Sequence, residues 1–328
     1  MTGEFDIIAK YFAPLSVDCK GAFNLGDDAA SLSVPDVVVT KDLLVEGVHF
    51  RAKDARSAVA KKALRVNLSD IAAKGARSIG YFLGCVWPSG VKEEAIADFA
   101  AGLGEDQELF KIALMGGDTT AHVAKGAPFT VSITMIGTTG SAGMIRRTGA
   151  APGDDVYVSG TIGDAGLGLA ALNAEMKFPA AHKAYLTGRY QLPSPRVFLG
   201  GALGGHASSS IDVSDGLIAD AGHIADQSNV ALDIFAEKIP LSEAALAFVK
   251  KQDDQNAAIA QLAGYGDDYE ILFTAPASRR RSIEMAAQVT KTPVARIGTA
   301  VKGKGVRLLD AEDAEIAVDR AGYDHFAA

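Results

Sequence analysis

SSIDVSDGLIADAGHIADQSNVALDIF, residues 209–235, sets a strand (SSIDV), an acidic glycine turn (SDG), a helix (LIADAGHIADQ) and a second strand (VALDIF) one after another. Short apolar runs bounded by turn residues read as strands, and the longer segment between them as a helix. Downstream follow two helices, the strand YEILFTA, another helix and strands near 294–299 and 305–309. Upstream lie the strand VYVSG, a Gly-rich turn and a helix from about Asp164. Nearer the N-terminus, DVVVT (36–40) reads as a strand, RSAVAKKALRVNLSDIAAKGARS (56–78) as a helix, and a second helix falls around 91–110. Leu64, Leu68 and Ile71, spaced by four and three, give the first of these a buried stripe that Gly75 is placed to end. KIALMGGDTT reads as a strand running into a loop. FTVSITMIG alternates apolar and small polar residues, as a half-buried strand of an antiparallel or mixed sheet does. Strands and helices alternate in both halves, so the predicted class is α/β or α+β.

At 328 residues the chain is too long for one ordinary core. Pro152 and Gly153 in the turn APGDD interrupt periodic segments on both sides, which predicts domains over 1–150 and 151–328. The opening MTGEFDIIAKYF carries Glu4 and Asp6 where a signal peptide would be basic and then apolar, and no apolar run reaches the ~20 residues that span a membrane. Cys19 and Cys85 form neither a metal-type spacing nor a disulfide framework. The expected compartment is the cytoplasm. Lys and Arg number 32 against 40 Asp and Glu, a formal charge of −8, which argues against a nucleic-acid partner. A phosphate-bearing ligand beside clustered carboxylates would need interposed metal ions.

Acidic turns recur along the chain: GDDAA with Asp27 and Asp28, TKDLL with Asp42, NLSDIAAKGA with Asp70, GGDTT with Asp118, the opening IDVSDG with Asp212 and Asp215, and GYGDDYE with Asp267 and Asp268. Each has a bland reading. Asp70 can pair with Lys74 four residues on, and Asp215–Gly216 can be an ordinary turn that caps a helix. Together, with Asn67, Ser69, Thr119, Thr120 and Ser214 alongside, they are better explained by a site for several Mg²⁺ ions, which bind through carboxylates and phosphate oxygens. That points to phosphoryl transfer. The usual phosphate cradle is absent: GTAVKGKG (298–305) places Gly305 where a P-loop needs Ser or Thr, and it reads as a hairpin. Arg146 and Arg147, in MIRRTGAAPGD, are the basic pair suited to phosphate, and His49 lies in VEGVHF.

The set GEFDII, GDDAA, KDLLVEGVHF, KALRVNLSDIAAKGA, GGDTT, RRTGAAPGD, IDVSDGL, DDYEILF and terminal GYDHF resembles the thiamine-monophosphate kinase family, in order and across nearly the whole chain. That family belongs to the aminoimidazole ribonucleotide synthetase-like superfamily. The resemblance implies a two-domain fold with an N-terminal sheet that pairs across a homodimer and a C-terminal mixed α/β domain. It also implies ATP-dependent phosphorylation of thiamine monophosphate to thiamine diphosphate, with Mg²⁺ and K⁺ as candidate ions. Carried over by motif, the metal ligands are Asp28, Thr40, Asp42, Asp70, Asp118, Asp212 and Asp215, with a further hydroxyl at Ser214. Nucleotide contacts are Gly117, Asp118, Arg147 and Ser214, and thiamine contacts are His49, Asp267 and Tyr323. Asp28, Asp118, Arg147 and Asp215 are the expected catalytic set. Two residues depart from the pattern, Lys41 before Asp42 and Asp267 in place of the commoner Glu. An acceptor phosphate with a second pKa of ~6 is already a nucleophile at neutral pH, so direct in-line transfer needs no general base. The alternatives are another ATP-dependent synthetase of the superfamily and a non-catalytic nucleotide- or metal-binding regulator.

Overall fold

The strand Thr130–Thr139 buries Val131, Ile133 and Met135 while Ser132 and Thr134 stay half-buried on its other face, the period-2 pattern of a sheet with one covered side. In the computed structural model, which describes residues 23, 26–27, 30–31 and 37–324, it is the central strand of a five-stranded sheet. The strands are β1 (Ala30–Ser31), β2 (Val37–Val45), β3 (Ala76–Trp87), β4 (Ala113–Ala121) and β5 (Thr130–Thr139), in the order β1-β2-β5-β3-β4. All pairs are antiparallel except β3·β4, so the sheet is mixed.

Its covered face carries α1 (Arg56–Ala73) and α2 (Glu93–Phe110). Leu64, Leu68 and Ile71 are at most 1% exposed, and burial of each such side chain contributes about 2 kcal/mol. Burial on α1 extends well beyond that stripe: Lys62, Asn67, Ser69, Ala72 and Ala73 are enclosed too. A helix buried on nearly all sides lies between layers. Here α1 also packs on α5 (Val197–Leu203), β7 (Ser209–Asp212) and β9 (Ile271–Pro276), which belong to the second half of the chain. Gly200 of α5 lets the two helices approach, since a Cβ there would stand 2.1 Å from the Ala72 carbonyl oxygen.

The second sheet joins β6 (Asp154–Ser159), β7, β8 (Ala231–Phe235), β9, β10 (Val294–Val301) and β11 (Gly305–Leu309) in the order β11-β8-β10-β6-β9-β7. Around it stand α3 (Asp164–Leu172), α4 (Ala180–Gln191), α6 (Leu217–Ser228), α7 (Glu243–Val249), α8 (Gln255–Ala263) and α9 (Arg280–Thr290). The mixed α/β class is as expected.

Several local expectations need correcting. The hairpin reading of 298–305 fails, because β8 inserts between β10 and β11, pairing antiparallel with the first and parallel with the second. The first helix stops at Ala73 instead of 78: Gly75 takes a left-handed φ of 68°, and Ala76 already starts β3. GGDTT is strand, not loop, since β4 runs to Ala121 beside β3. Among the described residues, no helix is long and apolar enough to cross a membrane.

Candidate functional site

On β2 the side chains of Val38, Thr40, Asp42 and Leu44 fall on the face that meets α1, and Lys41 and Leu43 fall on the other. Alternation thus turns a hydroxyl and a carboxylate inward at the C-terminal end of a core strand. Thr40 Oγ1 donates to Asp70 Oδ2 of α1 at 2.5 Å. Lys41, which departs from the family pattern, points away and donates its Nζ to Ser132 Oγ.

Asp42, Asp70 and Asp212 gather where β2, α1 and the end of β7 meet. Burial, and then the charge of Asp212, push the Asp42 carboxyl up to about 7. Burial followed by Asp212 and Asp42 holds Asp70 well above the usual carboxylate range. Asp212 is also raised by burial, opposed by neighbouring Ser69, Lys74 and Arg147. Asp42 Oδ2 is buried with no hydrogen-bond partner among the described residues. A buried carboxylate oxygen without a donor, beside two more carboxylates, is the environment that a hard divalent cation relieves. The donor set therefore fits Mg²⁺.

A buried lysine braces this end. Lys74 does not pair with Asp70, as the helical spacing allowed; its Nζ lies 3.0 Å from Asp27 Oδ1 and donates to the Ser210 carbonyl. Asp27 in turn accepts from the Arg147 backbone N–H. Asp28 lies outside the described residues. The Arg147 guanidinium faces Asp27, Asp220, Asp212 and Asp215, while burial draws its pKa down. Arg146 instead lies over the Phe23 ring, 5.4 Å from its centroid.

In the SDG turn the backbone N–H groups of Ser214, Asp215 and Gly216 all donate to Asp220 Oδ2, at 3.0, 3.1 and 3.2 Å. The turn therefore spends its amides on its own helix, which leaves the Ser214 hydroxyl and the Asp215 carboxylate as its outward chemistry. Ligand atoms of Asp215, Asp220 and His223 lie within 4.8 Å of one another. Burial, then Arg147, pulls His223 down to about 4, so its imidazole is neutral at pH 7 and able to bind a metal.

A cleft of about 470 Å³ opens beside these groups, within the usual size for a small-molecule site. Asp42, His49, Ser214, Asp215, Asp267 and Tyr323 all line it. His49 Nδ1 accepts from the Val45 N–H. The loop before β9 zips onto the SDG turn: Asp267 N donates to the Ser214 carbonyl and Tyr269 N to that of Val213, both at 2.8 Å. Asp267 and Tyr269 hold left-handed φ angles of 68° and 51°. Gly266 is required there, since a Cβ would lie 2.4 Å from the Ser214 carbonyl oxygen. Tyr323, near the C-terminus, reaches the same turn, its N–H donating to the Asp215 carbonyl, and the residue is 44% exposed. Gly117 and Asp118 stand apart from this group. Both are exposed on β4, an edge strand of the first sheet, and neither lines the cleft.

Motif reading did not single out Lys62, Tyr190, Asp220, His223 or Tyr269. Tyr190 and Tyr269 line the cleft, and Tyr269 faces Asp267, Asp42 and Asp212. Tyr269 was within reach, since it sits in the DDYEILF motif. Tyr190 lies on a helix that the sequence reading did not predict.

The profile of the family described as AIR synthase related protein, N-terminal domain, matches residues 26–139. The chain is 45% identical over 306 residues to the thiamine-monophosphate kinase of Caulobacter vibrioides, covering 92% of this chain and 85% of that protein. It is 34% identical over 330 residues to the thiamine-monophosphate kinase of Escherichia coli, covering 99% and 98%. The solved structure of AaThiL complexed with AMPPCP and TMP superposes with a TM-score of 0.84 at 29% identity, covering 99% of this chain and 97% of that one.

Proposed function

The chain belongs to the thiamine-monophosphate kinase family, and from that premise we propose how its cleft carries out ATP-dependent phosphorylation of thiamine monophosphate. The observation that carries the reading is that Asp42, whose buried Oδ2 has no partner among the described residues, stands beside Asp70 and Asp212 and lines the same cleft as His49, Asp267 and Tyr323.

Asp42, Asp70, Asp212 and Asp215, with the Thr40 hydroxyl, would hold Mg²⁺, which would supply charge neutralisation where two anionic phosphates must meet. Arg147 and the Ser214 hydroxyl receive the nucleotide phosphates, and Arg147 takes up charge developing on the transferred group. Asp267 offers its carboxylate to the cationic thiazolium, with His49 and Tyr323 beside it. The acceptor phosphate is already ionised at neutral pH, with a second pKa of ~6, so the chain needs no general base. Its work is to position two phosphates in line. By motif Asp28, which lies outside the described residues, is a further expected ligand, and K⁺ is a candidate monovalent ion.

The enzyme acts as a homodimer in the cytoplasm, where ATP is supplied. The uncovered face of the first sheet supports pairing, with Leu43 54%, Phe82 43% and Met115 46% exposed. Gly117 and Asp118, expected nucleotide contacts by motif, are exposed on the edge strand of the same sheet.

The test is a pair of assays under the same MgATP. Thiamine monophosphate should be converted to thiamine diphosphate, whereas unphosphorylated thiamine, whose hydroxyl needs a base, should react very poorly. No ³²P should remain on the denatured protein after incubation with ATP alone. Absence of thiamine diphosphate would overturn the reading of the cleft. Comparable phosphorylation of thiamine, or a stoichiometric stable label, would overturn direct transfer.

A further inference from the structure

Lys62 is a charged side chain sealed into the wall of the cleft. It sits on α1 with 2% of its side chain exposed, and it does not line the cleft. Three contacts from three separate parts of the chain converge on its ammonium. Nζ donates to the His49 carbonyl at 2.9 Å, lies 3.2 Å from Asp267 Oδ1, and stands 3.8 Å from the centroid of the Tyr190 ring. The Tyr190 hydroxyl donates to the same His49 carbonyl, closing the circuit at 3.2 Å. All three partners line the cleft.

Burying an ammonium is costly, and burial lowers the pKa of Lys62, opposed by Asp267 and then by Asp54. Asp54 is engaged elsewhere, accepting from the Arg51 N–H and side chain and from Gln191 Nε2. The compensating ion pair is therefore the one with Asp267, whose carboxylate stays 29% exposed. One side of that carboxylate is held by a fixed cation, and its backbone N–H is held by Ser214.

We propose that Lys62 is a positioning residue for the acceptor: its ammonium fixes the His49 loop, the Tyr190 ring and the Asp267 carboxylate as one wall, without touching the substrate. This rests on the assignment of that wall to the thiamine half of the substrate. A charged group that orients substrate contacts without contacting the nucleotide should change acceptor affinity selectively.

The experiment is a kinetic cycle on the full chain with Lys62→Met, Asp267→Asn and the double variant, with KM measured separately for thiamine monophosphate and for ATP. Losing a charge-assisted contact to substrate or to its positioner corresponds to about tenfold or more in KM. Lys62→Met should raise the thiamine monophosphate KM by about that factor while the ATP KM stays within about twofold, and the double variant should be no worse than Asp267→Asn alone. Equal losses in both KM values and in kcat would mark a merely structural lysine and overturn the proposal. So would an unchanged or lower acceptor KM in Lys62→Met when Asp267→Asn raises it. An unchanged acceptor KM in Asp267→Asn would instead remove the wall assignment beneath it. If Lys62→Met does not fold, Lys62→Gln is read in the same way. If neither folds, the wild-type protein labelled with ¹⁵N-lysine carries the test: a buried-lysine Nζ resonance should shift with thiamine monophosphate and not with AMPPCP, and its failure to move would overturn the proposal.

Discussion

At the scale of the residue, Asp42 shows how a strand end becomes a reactive position. Its neighbours at i−4 and i+2 on the same face, Val38 and Leu44, are 1% and 3% exposed, so alternation carries its carboxylate into the core layer beside Asp70 and Asp212. Its carboxyl is raised from 3.8 to about 7. In the metal-free protein such a group binds its proton more tightly folded than unfolded. Its contribution to stability is therefore fully present below about pH 4 and is lost as pH rises through about 7. The metal-free protein should melt at a lower temperature at pH 8 than at pH 6, and Mg²⁺ should raise the melting temperature more at pH 8. Asp42→Asn should flatten both effects. It should also cut turnover by roughly 10³, taking about 4 kcal/mol for a unit charge at ~4 Å in an effective dielectric of ~20 as a guide. Calorimetry at the two pH values with and without Mg²⁺ checks the first expectation, and steady-state kinetics the second. A Mg²⁺ shift independent of pH, or an active Asp42→Asn, would count against the carboxylate set.

At the scale of the element, α4 is held to the second sheet by a buried ionic network. Glu270, just before β9, is fully buried and accepts from Arg189 Nη2 of α4, from Arg196 and from Ser159 Oγ. Arg189 Nη2 also donates to the Asp268 carbonyl. Asp268 accepts from the N–H groups of Gly163 and Ala165, tying the start of α3 to the same strand. Removing one partner of a buried pair leaves an uncompensated charge, so Arg189→Met should destabilise by about 3 kcal/mol. Denaturant titration measures this, and a loss under about 1 kcal/mol would show that Arg196 and Ser159 suffice. Because Tyr190 follows Arg189 on the same helix, the acceptor KM should rise too. The helical phase that Leu64, Leu68 and Ile71 announce is present in α1, because one apolar stripe is a local property. The extra burial of Ser69 and Ala72 had no local signature, since it comes from elements more than 100 residues away, α5, β7 and β9.

At the scale of the whole molecule, the uncovered face of the first sheet, with Leu43, Phe82 and Met115 exposed, is where the proposed homodimer forms. Leu43→Asp combined with Met115→Glu should convert a species of twice 34.0 kDa into one of 34.0 kDa in sedimentation, since isolated charges in an apolar interface remain unpaired. A wild-type protein that sediments at 34.0 kDa at micromolar concentration would remove the dimer. The sequence by itself determined the class of the fold, most of its strands and the chemistry of the turns, because periodicity, glycine geometry and residue type act within a few neighbours. It showed carboxylates in recurrent turns without showing which of them meet. Tertiary structure decided that Asp42, Asp70 and Asp212 converge, that Lys74 pairs with Asp27 and reaches Asp70 only through its charge, and that Asp118 does not line the cleft. It also decided that Lys62 stands behind the wall as a buried cation and that β8 divides β10 from β11. Each of these depends on contacts between distant segments. Electrostatic energy, desolvation and strand pairing are set by what surrounds a residue in space, and a linear order of side chains does not specify that surrounding.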